Sequence, residues 1–330
     1  MTRSVRLSRI SPVLIIISIA ITLAIAGQVK PSIYATSITI GFFSLLALPL
    51  GLLYGQGGAI SLAQGGFAAV GAFTTAILTV KFGWSPFASL VVSGGLPAIL
   101  AFVIARPLLR LPELSLALVT ISLVMIFKVV FERAERLTGG YDGITGIAPL
   151  PIIGVERSYA HWTIWTAVLV VAYCYASYVE SGRGRALNAI RVDRLLAEST
   201  GTNVAFELSS LFSLSAGIAG LAGWFYAHYI GFMAPDSLDP TLSANILFMV
   251  VLGGRKSVLG PIVGASLFTL ASDLLPGTVT QGMIFGSLLI VILVFFPDGI
   301  VSPGMMRWAR RRTTTIPEAK NTPGVRLERA

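Results

Sequence analysis

The chain is poor in charge. Only 12% of its 330 residues are Asp, Glu, Lys or Arg, against about 25% in soluble domains. Hydrophobic residues make up 55%, enough for roughly nine bilayer crossings of ~20 residues each. A disordered chain, a soluble enzyme and a single-span anchor are excluded. Cysteine is nearly absent: Cys174 alone permits neither a disulfide framework nor a cysteine metal cluster, and its apolar surroundings predict a small core residue. The two histidines, His161 and His228, lie in separate regions without the His-Glu-x-x-His spacing of a metal site. Gly253-Gly254-Arg255-Lys256-Ser257 has Arg where a phosphate loop needs Gly before its Lys, and lacks the upstream Gly. No catalytic constellation and no cofactor are expected.

Charge is also missing inside the apolar runs, where ion-coupled carriers commonly bury an Asp, Glu or His. Glu113, Lys128 and Asp273 touch the ends of runs only, and Asp273 alone could serve as a coupling carboxylate. A polytopic chain without an ion relay is either a passive channel or one part of a machine energised elsewhere.

What is present is an all-α polytopic membrane protein. Apolar runs bounded by charge, Pro or Gly occur at about 12–29, 33–53, 61–80, 84–105, 113–131, 162–179, 208–230, 242–253, 258–275 and 282–297. The first, behind Arg3, Arg6 and Arg9, imitates a secretory signal and is expected to remain as an uncleaved helix. With the N-terminus inside, the inner segments hold 18 Lys and Arg and the outer ones 6 (Lys30, Lys81, Lys128, Arg133, Arg136 and Arg157). That asymmetry predicts cytoplasmic termini. It also assigns the net charge of +9 to the anionic inner membrane face and its lipid rather than to nucleic acid. The runs 242–253 and 258–275 are short. Either both cross, giving about ten transmembrane helices, or both form a re-entrant hairpin beside eight. Residues 1–306 read as one transmembrane domain and 307–330 as a basic cytoplasmic tail, expected to be disordered.

Small residues four apart, as in Gly51/Gly55, Ala68/Ala72/Ala76, Ala219/Gly223/Ala227 and Gly260/Gly264, predict closely approaching helices. The outer loop, about 132–161, carries Thr138-Gly139-Gly140-Tyr141-Asp142-Gly143. It reads as a flexible connector, or as a docking surface or lid. His228, in Tyr226-Ala227-His228-Tyr229, fits an interfacial aromatic belt or a place on the transport path. Gln56, Gln64, Ser243 and Asn245 are further polar candidates for that path.

The inner loop, about 180–207, stands apart. Read as one helix at ~100° per residue, it gathers Ala189, Val192, Leu195 and Leu196 on one face and Arg191, Arg194 and Glu198 on the other, with Arg194 and Glu198 spaced to pair. Gly201 is a helix stop. Such a helix lies either in the lipid interface or in the groove of a soluble partner.

This loop, Gly184-Arg185-Ala186-Leu187-Asn188-Ala189-Ile190-Arg191-Val192-Asp193 with Gly201-Thr202-Asn203, resembles the cytoplasmic motif of permeases of branched-chain amino-acid ABC importers. Ser61-Leu62-Ala63-Gln64-Gly65-Gly66-Phe67, Leu137-Thr138-Gly139-Gly140, Ala219-Gly220-Leu221-Ala222-Gly223, Met249-Val250-Val251-Leu252-Gly253-Gly254 and Phe296-Pro297-Asp298-Gly299 keep the family's order over most of the chain. The Thr-Gly-Gly loop and Pro-Asp-Gly ending look like the M-type (LivM-like) subunit rather than its H-type partner. The resemblance implies a non-catalytic inner-membrane subunit moving leucine, isoleucine, valine or related amino acids. Its partners would be an H-type permease in a heterodimer, two cytoplasmic ATPases and an extracytoplasmic binding protein. Relatives of the same design import urea or short amides. The implied ATPase-coupling residues are Gly184, Arg185, Ala189, Arg191, Asp193, Arg194, Glu198 and Gly201; Gln64, Gly139, Gly140, His228 and Asn245 are the path or gate candidates. Arg194 stands where the family usually has an acidic residue, and Leu196 where a small one is common.

Overall fold

In hydrocarbon no water satisfies a bare N–H or C=O, so an apolar chain must close its hydrogen bonds within helices. A computed structural model of the protein describes residues 2–150, 157–274, 287 and 299–301. The apolar runs within these residues are helical over most of their length. The expected run at 282–297 and the tail lie outside the described residues.

The long helices are α1 (Thr2–Val29), α2 (Pro31–Gly57), α4 (Pro86–Leu108), α5 (Glu113–Arg133), α7 (Arg157–Glu180) and α10 (Val204–Ile230). The short ones are α3 (Gln64–Ala76), which a π-helical turn (Ile77–Lys81) extends, α6 (Glu135–Thr138), α8 (Gly182–Val192), α9 (Arg194–Ser199), α11 (Pro240–Gly253) and α12 (Gly260–Leu274). Two-residue strands β1 (Ile144–Thr145) and β2 (Phe232–Met233) pair antiparallel, Ile144 with Met233.

Local chemistry fixes many ends. Ser85 accepts from Ala88 N–H ahead of Pro86, and Asp239 accepts from Leu242 N–H ahead of Pro240; both are N-caps followed by proline at the first turn. Gly58 and Gly231, in the left-handed region, close α2 and α10.

Helices α2, α4, α5, α7 and α10 are long and apolar enough to cross a membrane. α2 and α3 form the interior: most of α2 is buried, as are all but one of the 13 residues of α3. α4 and α5 turn most of their apolar surface outward, with Val91, Val103, Leu114 and Leu118 exposed. In a soluble protein this would be an aggregation surface; in a membrane it faces lipid or another subunit. Cys174 is exposed on α7, not in the core. The apolar run around it lies on a helix with an outward face, which also carries Val170 and Tyr173.

The small-residue spacings mark backbone contact. A Cβ on Gly223 would lie 1.9 Å from the Ala68 carbonyl oxygen, and one on Gly71 2.3 Å from that of Gly220, so α3 and α10 touch main chain to main chain. α11 and α12 do the same at Gly253 and Gly264, each 1.8 Å from a facing carbonyl by the same measure.

Gly223→Val should therefore separate α3 from α10, an overpacking cost of about 1–3 kcal/mol or more. We expect a clearly lower thermal midpoint in detergent, with Gly95→Ala, where a Cβ meets nothing within 4 Å, unchanged. Equal midpoints for both variants would contradict the close approach.

Candidate functional site

The third apolar run is broken. α2 stops at Gly57, residues 58–63 are not helical, and α3 starts at Gln64. That start faces the middle of its neighbours: Gln64 Nε2 donates to Ser215 Oγ of α10 at 2.5 Å, and Leu62 N–H donates to Thr120 Oγ1 of α5 at 2.9 Å. α11 also begins here, with Ser243 Oγ accepting from Gly65 N–H at 2.9 Å. Two half-length helices thus meet by their N-termini halfway along the bundle.

The polar residues of this junction supply what the interrupted ladder lacks. Ser61 Oγ accepts from Ala63 N–H, and Ser61, Gln64, Thr120, Ser215 and Ser243 are all buried. Gln64 Oε1 is a buried acceptor without a partner among the described residues. Gln64 and Ser243 were legible as isolated polar residues; Thr120 and Ser215, in α5 and α10, were not, since a hydroxyl in an apolar helix usually bonds its own turn. Asn245 is half-buried further along α11, and Gln56 half-buried at the end of α2.

From this junction α11 runs beside α3 and α2 to Gly253. There the chain turns, the Arg255 carbonyl oxygen against Gly55 and the Arg255 guanidinium over the Tyr54 ring. α12 then runs back along α2, Pro261 against Gly51, Phe268 near Phe43, and Thr36 Oγ1 donating to Asp273 Oδ2 at 2.7 Å. Asp273, the one candidate coupling carboxylate, is exposed.

The inner loop folds as two helices rather than the single amphipathic one expected. Asp193 is extended, ends α8, and caps α9 by accepting from Leu196 N–H at 3.0 Å. The break rotates the apolar pattern. Leu187, Ile190 and Ala197 are buried against the bundle, whereas Val192, Leu195 and Leu196 are 77%, 79% and 62% exposed. Ala189 and Arg185 also face outward. Gly184 seats α8: its Cβ would lie 2.4 Å from the carbonyl oxygens of both Tyr178 and Val179. Arg194 Nε meets Glu198 Oε1 at 3.4 Å, the pair the spacing predicted, and its Nη1 donates to the Leu109 carbonyl at 3.3 Å. Both side chains are about half exposed, so the pair adds under ~1 kcal/mol. Gly201, with φ 85°, is the stop.

At the opposite end the glycine-rich stretch is an ordered corner, not a flexible connector. Gly139, Gly140 and Gly143 have positive φ. Thr138 Oγ1 donates to main-chain oxygens of α5 and its end, and β1 joins β2 after α10. His228 is buried, Nδ1 2.7 Å from the Ala148 carbonyl oxygen; it ties this corner to α10 instead of sitting in a lipid-facing belt. His161 is buried as well, bonded to Ser37, which Trp165 also contacts, a cluster of α2 and α7 that spacing in the sequence does not reveal. Lys128 of α5 pairs with Asp236. Among the described residues no three His, Cys, Asp or Glu side chains could hold a metal.

A helical bundle with broken helices and a surface loop fits several membrane-protein families, and the comparison with known sequences decides among them. Residues 32–295 match the family model described as branched-chain amino acid transport system / permease component. The chain belongs to that permease family.

Within it the permease is LivM-like. It is 27% identical over 286 residues to the high-affinity branched-chain amino acid transport system permease protein LivM of Escherichia coli K12, covering 78% of this chain and 67% of that one. With LivM of Salmonella typhimurium the identity is 28% over the same shares. A probable branched-chain amino acid transport permease protein LivH of Methanocaldococcus jannaschii is 26% identical, over 82% and 92% of the two chains. No solved structure matches the permease. Family and apolar helices together make it a multi-pass protein of the inner membrane.

The hydroxyl of Ser243 is the partner of a buried amide, whose loss costs about 1–3 kcal/mol. Ser243→Ala should lower stability by that order and raise amide exchange at residues 64–66. Unaltered exchange there would contradict the junction.

Proposed function

We propose that the permease is the membrane-spanning, non-catalytic subunit of an ABC importer for leucine, isoleucine, valine or related amino acids. Separate cytoplasmic ATPases would drive it. The observation that carries this reading is the α8–α9 pair. One side is wedged into the bundle through Gly184, Leu187 and Ile190, and the other presents Val192, Leu195 and Leu196, with Arg185 also exposed. A partner gripping that outward apolar ridge would move the bundle without touching its interior. Arg194 in place of an acidic residue then selects an ATPase groove of matching charge. The names of the LivM relatives support the substrate.

The loop lies inside by the distribution of Lys and Arg, which also puts both termini inside. α11, with 14 residues, is about 21 Å long at 1.5 Å per residue, short of the ~30 Å hydrocarbon core. Residues 232–239 therefore descend from the outer side before α11 completes the crossing, and α12 returns along α2. α3 is the mirror case, with residues 58–63 entering from the inner side. This keeps the parity of ten crossings, two of them part loop and part helix. Such broken helices near mid-membrane are a recurrent way to build a transport path. The path itself would form against an H-type partner, with an extracytoplasmic binding protein delivering substrate to the corner built by Gly139, Gly140 and His228.

Gly184→Asp, which pushes a carboxylate into the α7 carbonyls, and Arg191→Glu should each reduce ATP-driven uptake at least about tenfold, the effect of ~1.4 kcal/mol of lost contact. Membrane insertion should be normal and ATPase co-purification reduced. Wild-type uptake and co-purification in both variants would reject the docking role.

A further inference from the structure

Below the break, on the side of α8 and α9, lies a cleft of about 220 Å³. Four parts of the chain wall it: residues 57–59 at the end of α2, the turn from α4 into α5, α8–α9, and the first turns of α10. Its apolar surface comes from Leu116, Ile190 and Leu208, each buried. Its charges come from opposite elements, Glu113 at the start of α5 and Arg191 and Arg194 on the two short helices. Glu113 makes no ion pair among the described residues. Among the described residues Arg191 bonds Asn188 Oδ1 alone, at 3.4 Å, and Arg194 makes two bonds of 3.3 and 3.4 Å. A guanidinium has five N–H donors, so both keep donors for a ligand.

We propose that this cleft is a binding site for a free zwitterionic amino acid with an aliphatic side chain. The carboxylate would be held by Arg191 and Arg194, the ammonium by Glu113, and the side chain by Leu116, Ile190 and Leu208. An anionic headgroup alone would meet Glu113, and a cation alone the arginines; a zwitterion satisfies both. The volume is below the range of about 300–1,000 Å³ usual for drug-sized ligands, which suits a small solute. The site rests on the function proposed above and adds regulation to it. A ligand bridging α5 to α8–α9 ties the docking loop to the bundle and opposes the motion that ATPases would impose there. Imported product, accumulating on that side, would slow its own entry.

The test has two arms. In the first, the purified permease in detergent is titrated with radiolabelled leucine. We expect saturable binding, weakened at least tenfold by Glu113→Gln and by Leu116→Trp, and not displaced by isocaproate (no ammonium) or isopentylamine (no carboxylate). No saturable binding, equal binding by Glu113→Gln, or displacement by isocaproate or phosphatidylserine as effectively as by unlabelled leucine would overturn the site. In the second, the assembled importer in proteoliposomes takes up leucine with leucine also preset on the α8–α9 side. Each variant is normalised to its own rate without preset leucine. Inhibition in the wild type, shifted at least tenfold upward in Glu113→Gln, supports the regulatory role; uptake indifferent to preset leucine overturns it. If the assembled importer takes up no leucine while the permease binds it, the importer reading fails and the site stands.

Discussion

An interrupted helix inside a membrane is possible only where every freed main-chain group finds a partner. In this permease side-chain hydroxyls meet that need at several amides in and beside the interruption at residues 58–63. Thr120 and Ser243 take amides of Leu62 and Gly65, and Ser61 takes that of Ala63. The rest of the bundle is arranged around that junction. α3 packs on α10 at main-chain distance because Gly71, Gly220 and Gly223 allow it. α5 is held where Thr120 is needed, and α11 can start at half depth because the Asp239 cap closes its first turn while Ser243 serves the Gly65 amide of α3.

The same junction stands next to the arginine-bearing loop. A Cβ on Gly58, the residue that ends α2, would lie 3.3 Å from Arg191 Cγ, and Arg194 donates to the Leu109 carbonyl between α4 and α5. A displacement of α8 and α9 is therefore felt first at the start of the break and at the α4–α5 turn. Gln64, whose Oε1 has no partner among the described residues, lies a few residues further in. A rigid surface element coupled to a non-helical segment has the parts of a two-state device, and here those parts are contacts between identified residues. The zwitterion cleft occupies the same seam.

Much of this was legible in the sequence. The long apolar helices came from hydropathy, the close helix contacts from Gly and Ala four apart, and the family from motifs in order along the chain. What was not legible depended on one residue overriding a pattern. Asp193 at an N-cap splits the inner loop into two helices and turns Leu195 and Leu196 outward, which a single helical wheel cannot show. The start of α3 was placed at residue 61 because Ser61-Leu62-Ala63 is as apolar as the helix behind it; only the tertiary partners Thr120 and Ser243 reveal that these residues are not helical. Cys174 and His228 went opposite ways for one reason: hydropathy reports the solvent of a helix, not which of its faces looks at protein.

In the proposed importer, force from an ATPase enters at the ridge formed by Val192, Leu195 and Leu196. The most direct measurement is cross-linking from a single cysteine at Leu195, with Cys174 replaced by Ala, in inner-membrane vesicles containing the complete transporter. The account predicts a cross-link to an ATPase subunit whose yield changes when ATP is bound. Failure to cross-link any ATPase, with Leu195→Cys labelled by an impermeant reagent only from the extracytoplasmic side, would contradict it.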